Sequence, residues 1–323
     1  MDRLITLGEI EKARAALPPA VRRTPLLPFA ADSPAVGGEK LFLKAENLQV
    51  TGAYKVRAAF TILGGLSPGE RARGVVLTSS GNFAQAFGFA GSRMGVPIAV
   101  VMLDRTSPYK VEATRGYGAE VVFSGDDALA RQPFVERIAK ERGMTAIDTW
   151  EDQRGARGHA SIGLEILEQM PEAQTVLVPV SSGGVAAGVG AAIKETLPDV
   201  RVVGVQPERA NAAYVSLQKG EPTAIDYWDS VADGLSAVRP GAFPFRHIQK
   251  YLDGIVLVSE ADIARAFRSL LMRAKIMAEP AGAVAAAGFS AGKVDTGRKT
   301  VACVTGGNVT AGMARKMMEM AGE

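Results

Sequence analysis

The most informative stretch of the sequence is Lys44-Ala45-Glu46-Asn47-Leu48-Gln49-Val50-Thr51-Gly52-Ala53-Tyr54-Lys55-Val56-Arg57-Ala58-Ala59. It begins as the end of an apolar strand, passes a Thr-Gly turn and enters a helical pattern that starts at Tyr54 and Lys55. A helix start carries positive potential, which shifts a lysine there toward its neutral amine. The neutral amine is the nucleophilic form that a Schiff-base lysine requires. The alternative interpretation is a solvated helix-start lysine, because most lysines are exposed.

Strands and helices alternate after this stretch. Apolar runs at residues 75–78 and 175–180 each precede a helical pattern, as is typical of a parallel sheet with helices on its faces. We therefore predict an α/β protein with two doubly wound, mostly parallel sheets. Helices are predicted at residues 7–17, 82–94, 108–117, 127–142, 158–170, 184–197, 208–218, 261–277 and 281–289. Residues 220–245, rich in Pro, Gly and Asp, are predicted to form an irregular connection.

Composition indicates a globular protein that acts on a small molecule. The 323 residues are 47% hydrophobic, which is enough for a sizeable core and two domains. The 37 basic and 34 acidic residues leave a net charge of +3, so neither nucleic acid nor a membrane surface is expected as a partner. The single cysteine, Cys303, excludes an intrachain disulfide and is expected in a buried strand. The start shows no signal segment, and we expect a cytoplasmic protein.

A serine- and glycine-rich turn follows the predicted strand at residues 175–180. It consists of Ser181, Ser182, Gly183, Gly184 and Val185, and a helical pattern starts within it. Consecutive backbone N–H groups at a helix start bind phosphate, although such a turn can also serve close packing alone. The spacing fits neither a dinucleotide fingerprint nor a nucleoside-triphosphate loop. The turn is therefore a candidate phosphate site of another kind.

A second turn of this type joins the predicted strand at residues 75–78 to the next helix. It consists of Ser79, Ser80, Gly81, Asn82 and Phe83. Hydroxyl groups, a side-chain amide and a helix start can together hold a carboxylate. The alternative interpretation is an N-cap with additional serines.

These motifs resemble those of the pyridoxal-phosphate enzymes of the threonine dehydratase and serine racemase family. The family's lysine motif reads Lys-x-Glu-x-x-Gln-x-Thr-Gly-Ser-Phe-Lys, and residues 44–55 depart from it only at Ala53 and Tyr54. Five such motifs follow in the family's order between residues 24 and 308. The resemblance implies a fold type II enzyme. Its large cofactor-binding domain would comprise residues 1–73 and 151–323, and an inserted small domain residues 74–150.

The resemblance also implies roles for single residues. Lys55 would form the Schiff base with pyridoxal 5'-phosphate, residues 181–185 would hold its phosphate, and Asn82 would meet its phenolic oxygen. The carboxylate of an amino-acid substrate would bind at residues 79–83, where Phe83 replaces the family's His. The other implied cofactor contacts are Tyr54, Gly234, Glu279 and Thr305.

Two residues bear on the direction of the chemistry that the resemblance implies. Ser80 matches the hydroxyl that racemases use for proton transfer. Thr305 would hydrogen-bond the pyridine nitrogen, where a carboxylate would instead hold that nitrogen protonated. A neutral ring nitrogen is a weaker electron sink, which favours loss of a β-leaving group over reactions that need a long-lived carbanion.

Three further positions depart from the family pattern. Gln206 and Ala212 stand where metal-stimulated members carry carboxylates, so no divalent metal site is expected there. His159 stands where the family often has Gln. A structural histidine at a helix start is favoured for it over an acid–base group.

The combined prediction is a pyridoxal-phosphate-dependent ammonia-lyase. It would eliminate the β-hydroxyl of L-threonine, L-serine or a related β-hydroxy amino acid and release a 2-oxo acid and ammonia, with Lys55 as the α-proton acceptor. The alternatives are a serine racemase-like or β-replacement enzyme and a non-catalytic pyridoxal-phosphate-binding regulatory protein. Because the chain ends soon after Asn308, no regulatory domain is expected; we expect a homodimer.

Overall fold

Two sheets form the framework of the protein in a computed structural model that describes residues 3–29, 40–127 and 130–322. The predicted α/β class with two mostly parallel sheets is confirmed. The strands are β1 (Leu26–Phe29), β2 (Leu41–Lys44), β3 (Val75–Thr78), β4 (Ile98–Met102), β5 (Glu120–Phe123), β6 (Thr145–Ala146), β7 (Thr175–Pro179), β8 (Arg201–Pro207), β9 (Gly254–Val258) and β10 (Thr300–Cys303).

The helices mostly follow the strands, as the alternating pattern predicts. They are α1 (Leu7–Ala15), α2 (Lys55–Gly64), α3 (Pro68–Arg73), α4 (Asn82–Met94), α5 (Pro108–Gly116), α6 (Arg131–Arg142), α7 (Gln153–Gln169), α8 (Gly184–Thr196), α9 (Ala212–Lys219), α10 (Ala242–Tyr251), α11 (Glu260–Ser269), α12 (Pro280–Ser290) and α13 (Ala311–Ala321). Within the described ranges, no helix is long and apolar enough to cross a membrane.

The larger sheet has the strand order β1-β2-β10-β7-β8-β9, and the smaller one β5-β4-β3-β6. Among the described strands, β1 pairs with β2 antiparallel and every other pair is parallel. Central strands read as continuous apolar runs because helices cover both faces: Val176, Leu177 and Val178 are fully buried. Cys303 is also buried, in β10, as expected. In parallel sheets covered by helices, ligands bind at the loops that follow the carboxyl ends of the strands.

A buried ion cluster ties α2 to the large sheet and to α7. Arg57, in the first turn of α2, donates two hydrogen bonds of 2.8 Å to Glu46 and bonds of 2.8 and 2.9 Å to Glu165 in α7. Lys44, at the end of β2, also donates to Glu165. The four side chains are 0–6% exposed, and their charges cancel. The cluster thus sets the position of the helix that begins with Lys55.

Several helix boundaries differ from the prediction. The helix predicted from residue 158 begins at Gln153, because Asp152 caps it by accepting a hydrogen bond from the backbone N–H of Arg154. The helix predicted through residue 277 ends at Ser269 and continues as a single π-helical turn. The helix predicted from residue 208 begins at Ala212, and α10 starts inside the stretch predicted to be irregular. Helix α3 and strand β6 were not predicted, since both are very short.

The smaller sheet is built from residues 75–146. Its core includes buried residues of α2, such as Val56 and Phe60, which precede those strands in the chain. The division into a large domain and a small domain at residues 74–150 stays a prediction.

Candidate active site

A cavity of about 450 Å³ lies where the loops after β3, β7 and β10 face the start of α2. It brings together every candidate site residue of the sequence analysis. These are Tyr54, Lys55, Ser79, Ser80, Gly81, Asn82, Phe83, Ser181, Ser182, Gly183, Gly184, Val185, Gly234, Glu279 and Thr305. Residues from six separate segments of the chain thus meet at one place, as expected at the carboxyl ends of parallel strands.

The amine of Lys55 lies inside this cavity, at the first residue of α2. Its nitrogen is 4.4 Å from the ring centroid of Tyr54 and 4.3 Å from that of Phe83, and it donates a short hydrogen bond to the Tyr54 hydroxyl. Burial lowers the pKa of Lys55 to about 7, although the charge of Glu279 opposes the shift. The main cause is thus removal of water by the two rings and the surrounding wall, rather than the helix start alone.

The turn at residues 181–185 has the geometry of an anion cradle. Helix α8 starts at Gly184 without a side-chain cap, so its first backbone N–H groups are available to a ligand. Gly183 has φ +107°, a conformation that favours glycine, and a Cβ there would lie 2.8 Å from Ile248. The conformation and the crowding together account for a glycine at this point of the turn.

The turn at residues 79–83 presents a second helix start to the same cavity. Helix α4 begins at Asn82, again without a side-chain cap, so the alternative interpretation as an N-cap does not hold. Ser79 Oγ accepts a 3.3 Å hydrogen bond from the backbone N–H of Gly81, which shapes the turn. Ser80 Oγ lies 3.4 Å from Thr106 Oγ1. The free N–H groups suit a carboxylate.

Comparison with known proteins identifies the family. The sequence pattern of the family described as "Pyridoxal-phosphate dependent enzyme" matches residues 17–314. The chain belongs to this family. It is 36% identical to the catabolic L-threonine dehydratase TdcB of Staphylococcus aureus strain N315 over 310 residues, which are 95% of this chain and 90% of that protein.

Solved structures of the pyridoxal-phosphate family have the same fold. A processed form of threonine deaminase isoform 2 from Solanum lycopersicum superposes with a TM-score of 0.91 at 28% identity, covering 99% of this chain and 98% of that one. Maize serine racemase superposes with a TM-score of 0.91 at 30% identity, covering 98% of each chain. The protein is accordingly a fold type II pyridoxal-phosphate-dependent lyase, and its cofactor is pyridoxal 5'-phosphate.

The cavity of this pyridoxal-phosphate enzyme fits its cofactor. It offers an amine with a pKa of about 7 at Lys55 and an uncapped helix start with a left-handed glycine at Gly183. Thr305, 4% exposed, follows β10 and lines the same cavity. A nucleophilic amine, an anion cradle and a hydroxyl group are the functional groups that an aldehyde, a phosphate and a pyridine nitrogen require.

Three aromatic rings, those of Tyr54, Phe83 and His159, form a cluster beside Lys55. The His159 ring lies 4.6 Å from that of Tyr54 and 6.1 Å from that of Phe83, centroid to centroid. His159 is in the second turn of α7 and not at the helix start, because α7 begins at Gln153. Burial, with the charges of Lys55 and Arg57, holds the pKa of His159 well below its usual value. A neutral imidazole with no partner for Nδ1 therefore faces the site.

Several cavity residues were missed by the sequence analysis. Tyr109 and Lys110 lie in the first turn of α5, and Lys110 forms an ion pair of 3.0 Å with Asp233, which also lines the cavity. Trp150 follows β6, and Met313 lies in α13. The sequence did contain a signal for Tyr109 and Lys110, because a helix start at Ser107-Pro108 follows β4. Strands β3 and β4 are parallel, so this helix start lies at the same edge of the smaller sheet as residues 79–83.

The metal positions of the sequence analysis do not form a site. Gln206 is buried, and its Oε1 accepts a 2.9 Å hydrogen bond from the backbone N–H of Tyr214. Ala212 begins α9 and offers no ligand atom in its side chain. In the described part of the chain, no group of three or more His, Cys, Asp or Glu residues could hold a metal ion.

Proposed function

We propose that this enzyme eliminates the β-hydroxyl of L-threonine, and of L-serine as a second substrate, to give a 2-oxo acid and ammonia. One observation carries the proposal: the Lys55 amine lies between two aromatic rings in a cavity that also presents two uncapped helix starts. One helix start suits the cofactor phosphate and the other the substrate carboxylate. Lys55 then lies between them as the base.

The protonation of Lys55 supports its role as a base. Burial lowers the pKa of Lys55 to about 7, so the neutral amine is well populated near neutral pH. An ordinary lysine with a pKa of about 10.4 is almost entirely protonated there. Burial therefore favours the reactive form of Lys55. This matches the need of a group that must first attack a carbonyl and later accept a proton.

Different segments around the cavity would bind the cofactor, bind the substrate and accept the proton. Pyridoxal phosphate, when bound, supplies an electron sink for the charge that remains after loss of the α-proton. Backbone N–H groups at residues 182–185 hold the phosphate, and those at residues 80–83 hold the substrate carboxylate. Lys55 accepts the proton from the substrate Cα, and the β-hydroxyl takes up a proton and leaves as water. The released enamine takes up one water molecule and hydrolyses to the 2-oxo acid and ammonia.

Elimination is favoured over racemisation by the surroundings of Ser80. Racemisation requires a second acid–base group on the face opposite Lys55. The hydroxyl partner of Ser80 is Thr106, which cannot lower the pKa of a serine hydroxyl as a base would. Thr305, rather than a carboxylate, is the group for the ring nitrogen, so the charge left on Cα is weakly stabilised and the β-hydroxyl leaves first.

The preference for L-threonine rests on Phe83 and on the relatives. Phe83 places an apolar ring in the turn proposed to bind the substrate, beside the Lys55 amine. An apolar wall favours the β-methyl group of threonine over the β-hydrogen of serine, by about tenfold for one methyl group. The similar bacterial and plant proteins are named L-threonine dehydratase and threonine deaminase.

The test is a product analysis with purified holoenzyme. L-threonine and L-serine are supplied separately, ammonia and 2-oxo acid are quantified, and D-amino acid is measured by chiral chromatography in the same samples. We expect 2-oxo acid to exceed D-amino acid with both substrates, and Ser80→Ala to retain elimination. A D-amino acid as the main product, or absence of ammonia with both substrates, would refute the proposal.

A further inference from the structure

Asn82 is held at both ends of its side-chain amide by residues from two other loops. Its Nδ2 donates a 2.8 Å hydrogen bond to Glu279 Oε1, at the start of α12. Its Oδ1 accepts a 2.8 Å hydrogen bond from Nδ2 of Asn308, in the loop after β10. All three side chains line the active-site cavity. Each also lies more than 25 positions from the next in the chain, so only the fold brings them together.

The orientation of this network follows from one backbone group. Nδ2 of Asn308 donates a second hydrogen bond, of 2.9 Å, to the carbonyl oxygen of Thr51. A carbonyl can only accept, so this bond determines which end of the Asn308 amide is the nitrogen. The same nitrogen faces Asn82, which must then present its oxygen. The Asn82 nitrogen is left toward Glu279, with one of its two hydrogens unused.

Two glycines make room for the network. A Cβ at Gly306 would lie 2.3 Å from Glu279 Oε1 and 3.2 Å from Asn82 Nδ2. A Cβ at Gly52, which has φ +72°, would lie 2.3 Å from Asn308 Oδ1. Any other residue at either position would displace one of the two side chains that hold Asn82. The Thr51-Gly52 turn thus contributes both the carbonyl and the space that orient Asn308.

We propose that Glu279 and Asn308 are positioning residues that fix the orientation of the Asn82 amide. In this orientation its unused N–H would point at the phenolic oxygen of bound pyridoxal phosphate. The inference rests on the proposed function and on the contact between Asn82 and the phenolic oxygen that the family resemblance implies. It explains why Asn82 donates a hydrogen bond from its nitrogen to the phenolic oxygen. If the amide were flipped, its oxygen would face the phenolic oxygen, and two acceptors would repel each other.

The network tolerates titration of Glu279. Burial, and then the charge of Asp233, raise the pKa of Glu279 to about 7, while the hydrogen bond from Asn82 opposes the shift. A protonated carboxyl group still has an oxygen that accepts a hydrogen bond. Asn82 can therefore keep its orientation on both sides of neutral pH. Glu279→Gln, which retains an acceptor oxygen, should do the same.

The test reads the cofactor without substrate. Holoenzyme variants Asn308→Asp, Asn82→Ala and the double variant are titrated with base while the visible absorption band of the lysine-bound cofactor is recorded. Asn308→Asp keeps the shape of the side chain but places a carboxylate oxygen opposite Asn82 Oδ1. Because two acceptors repel each other, the Asn82 amide should flip and turn its nitrogen toward residue 308. We expect the band to titrate about one pH unit away from the wild type, as for one lost hydrogen bond to a charged oxygen.

The double variant separates orientation from other effects of the substitution. A through-space effect of the new carboxylate would persist when Asn82 is already Ala, whereas an orientation effect would vanish. We expect Asn308→Asp to cause no further shift in the Asn82→Ala background. An equal shift in both backgrounds, or no shift in either, would overturn the inference. Should Asn308→Asp fail to fold, Asn308→Leu is put through the same pair of titrations.

Two controls complete the experiment. Glu279→Gln keeps the acceptor but removes a charge that acts on Lys55, so its shift should be equal with Asn82 and with Ala at position 82, whereas the shift of Glu279→Leu, which offers no acceptor, should be larger when Asn82 is present. Asn211→Asp makes the same chemical change at the N-cap of α9, away from the cavity, and should leave the band unchanged. Turnover of L-threonine is measured separately. Its absence in the wild type would refute the proposed function while leaving the spectral coupling of Asn82 and Asn308 to be judged by itself.

Discussion

Removal of the Arg57 side chain should destabilise the enzyme more than any change of a surface ion pair. Arg57 is 1% exposed, and four hydrogen bonds of 2.8–2.9 Å join it to Glu46 and Glu165. Arg57→Ala leaves two buried carboxylates with Lys44 as the one cation of the cluster. Leaving a charge unpaired in a buried cluster costs about 3–5 kcal/mol.

The assay is urea denaturation at pH 7, with Arg142→Ala as the matched control. Arg142 pairs with Glu120 at the surface, where both side chains are about half exposed, and an exposed pair contributes about 0–1 kcal/mol. Arg57→Met combined with Glu46→Gln restores charge balance with the Lys44–Glu165 pair and should recover part of the loss. A loss below about 1 kcal/mol for Arg57→Ala, or no recovery in the double variant, would contradict the role of Arg57 as the partner of these buried carboxylates.

The loss in Arg57→Ala should also depend on pH. In the wild type, burial alone would raise the pKa of Glu46, but the charge and hydrogen bonds of Arg57, with the charge of Lys44 and the hydrogen bond from Thr24, together hold that pKa below its usual value. Glu46 therefore adds stability above its unfolded pKa, and this stability disappears as the pH falls through its folded pKa. Without Arg57, burial raises the pKa of Glu46, so the variant improves as the pH falls. The difference between the two proteins should shrink from pH 7 to pH 5.

Four further outcomes are expected. Lys55→Ala should abolish the visible band of the lysine-bound cofactor and turnover; turnover that persists in this variant would sink the assignment of the base. The rate of pyridoxal-phosphate uptake by the apoprotein should rise with pH through about 7, because the neutral Lys55 amine is the reactive form. Stopped-flow absorbance measures this rate, and a rate that does not change near pH 7 would contradict a lowered pKa of Lys55. Gly183→Val should raise the cofactor dissociation constant at least tenfold with an unchanged far-UV spectrum, because φ +107° strains a side chain there and its Cβ would lie 2.8 Å from Ile248 and 3.1 Å from Pro244; full occupancy would contradict the phosphate assignment. Treatment with EDTA should leave the 2-oxo acid assay unchanged, and a loss that Mg²⁺ restores would contradict the interpretation of Gln206 and Ala212.

The local parts of the site could be predicted from the sequence. Apolar strands followed by turns and helix starts predict both sheets and place Lys55, residues 79–83 and residues 181–185 at strand ends. Parallel strands then bring the strand ends of each sheet to one edge of that sheet, whereas the packing of the two sheets makes the two edges face the same cavity. The boundary of α7 was predicted less well, because an Asp152 cap and glycines packed against α2 override the weak helix propensity of Gly155 and Gly158.

Only the tertiary structure decided the environment of those residues. The pKa of Lys55 is set by burial between two rings, and burial is a property of many residues together. The pairing of Arg57 with Glu165 joins side chains more than 100 positions apart. The network of Asn82, Glu279 and Asn308 likewise spans three loops. A sequence pattern reports neighbours along the chain, whereas a hydrogen bond requires two atoms within about 3 Å, and the packing of both sheets sets that distance.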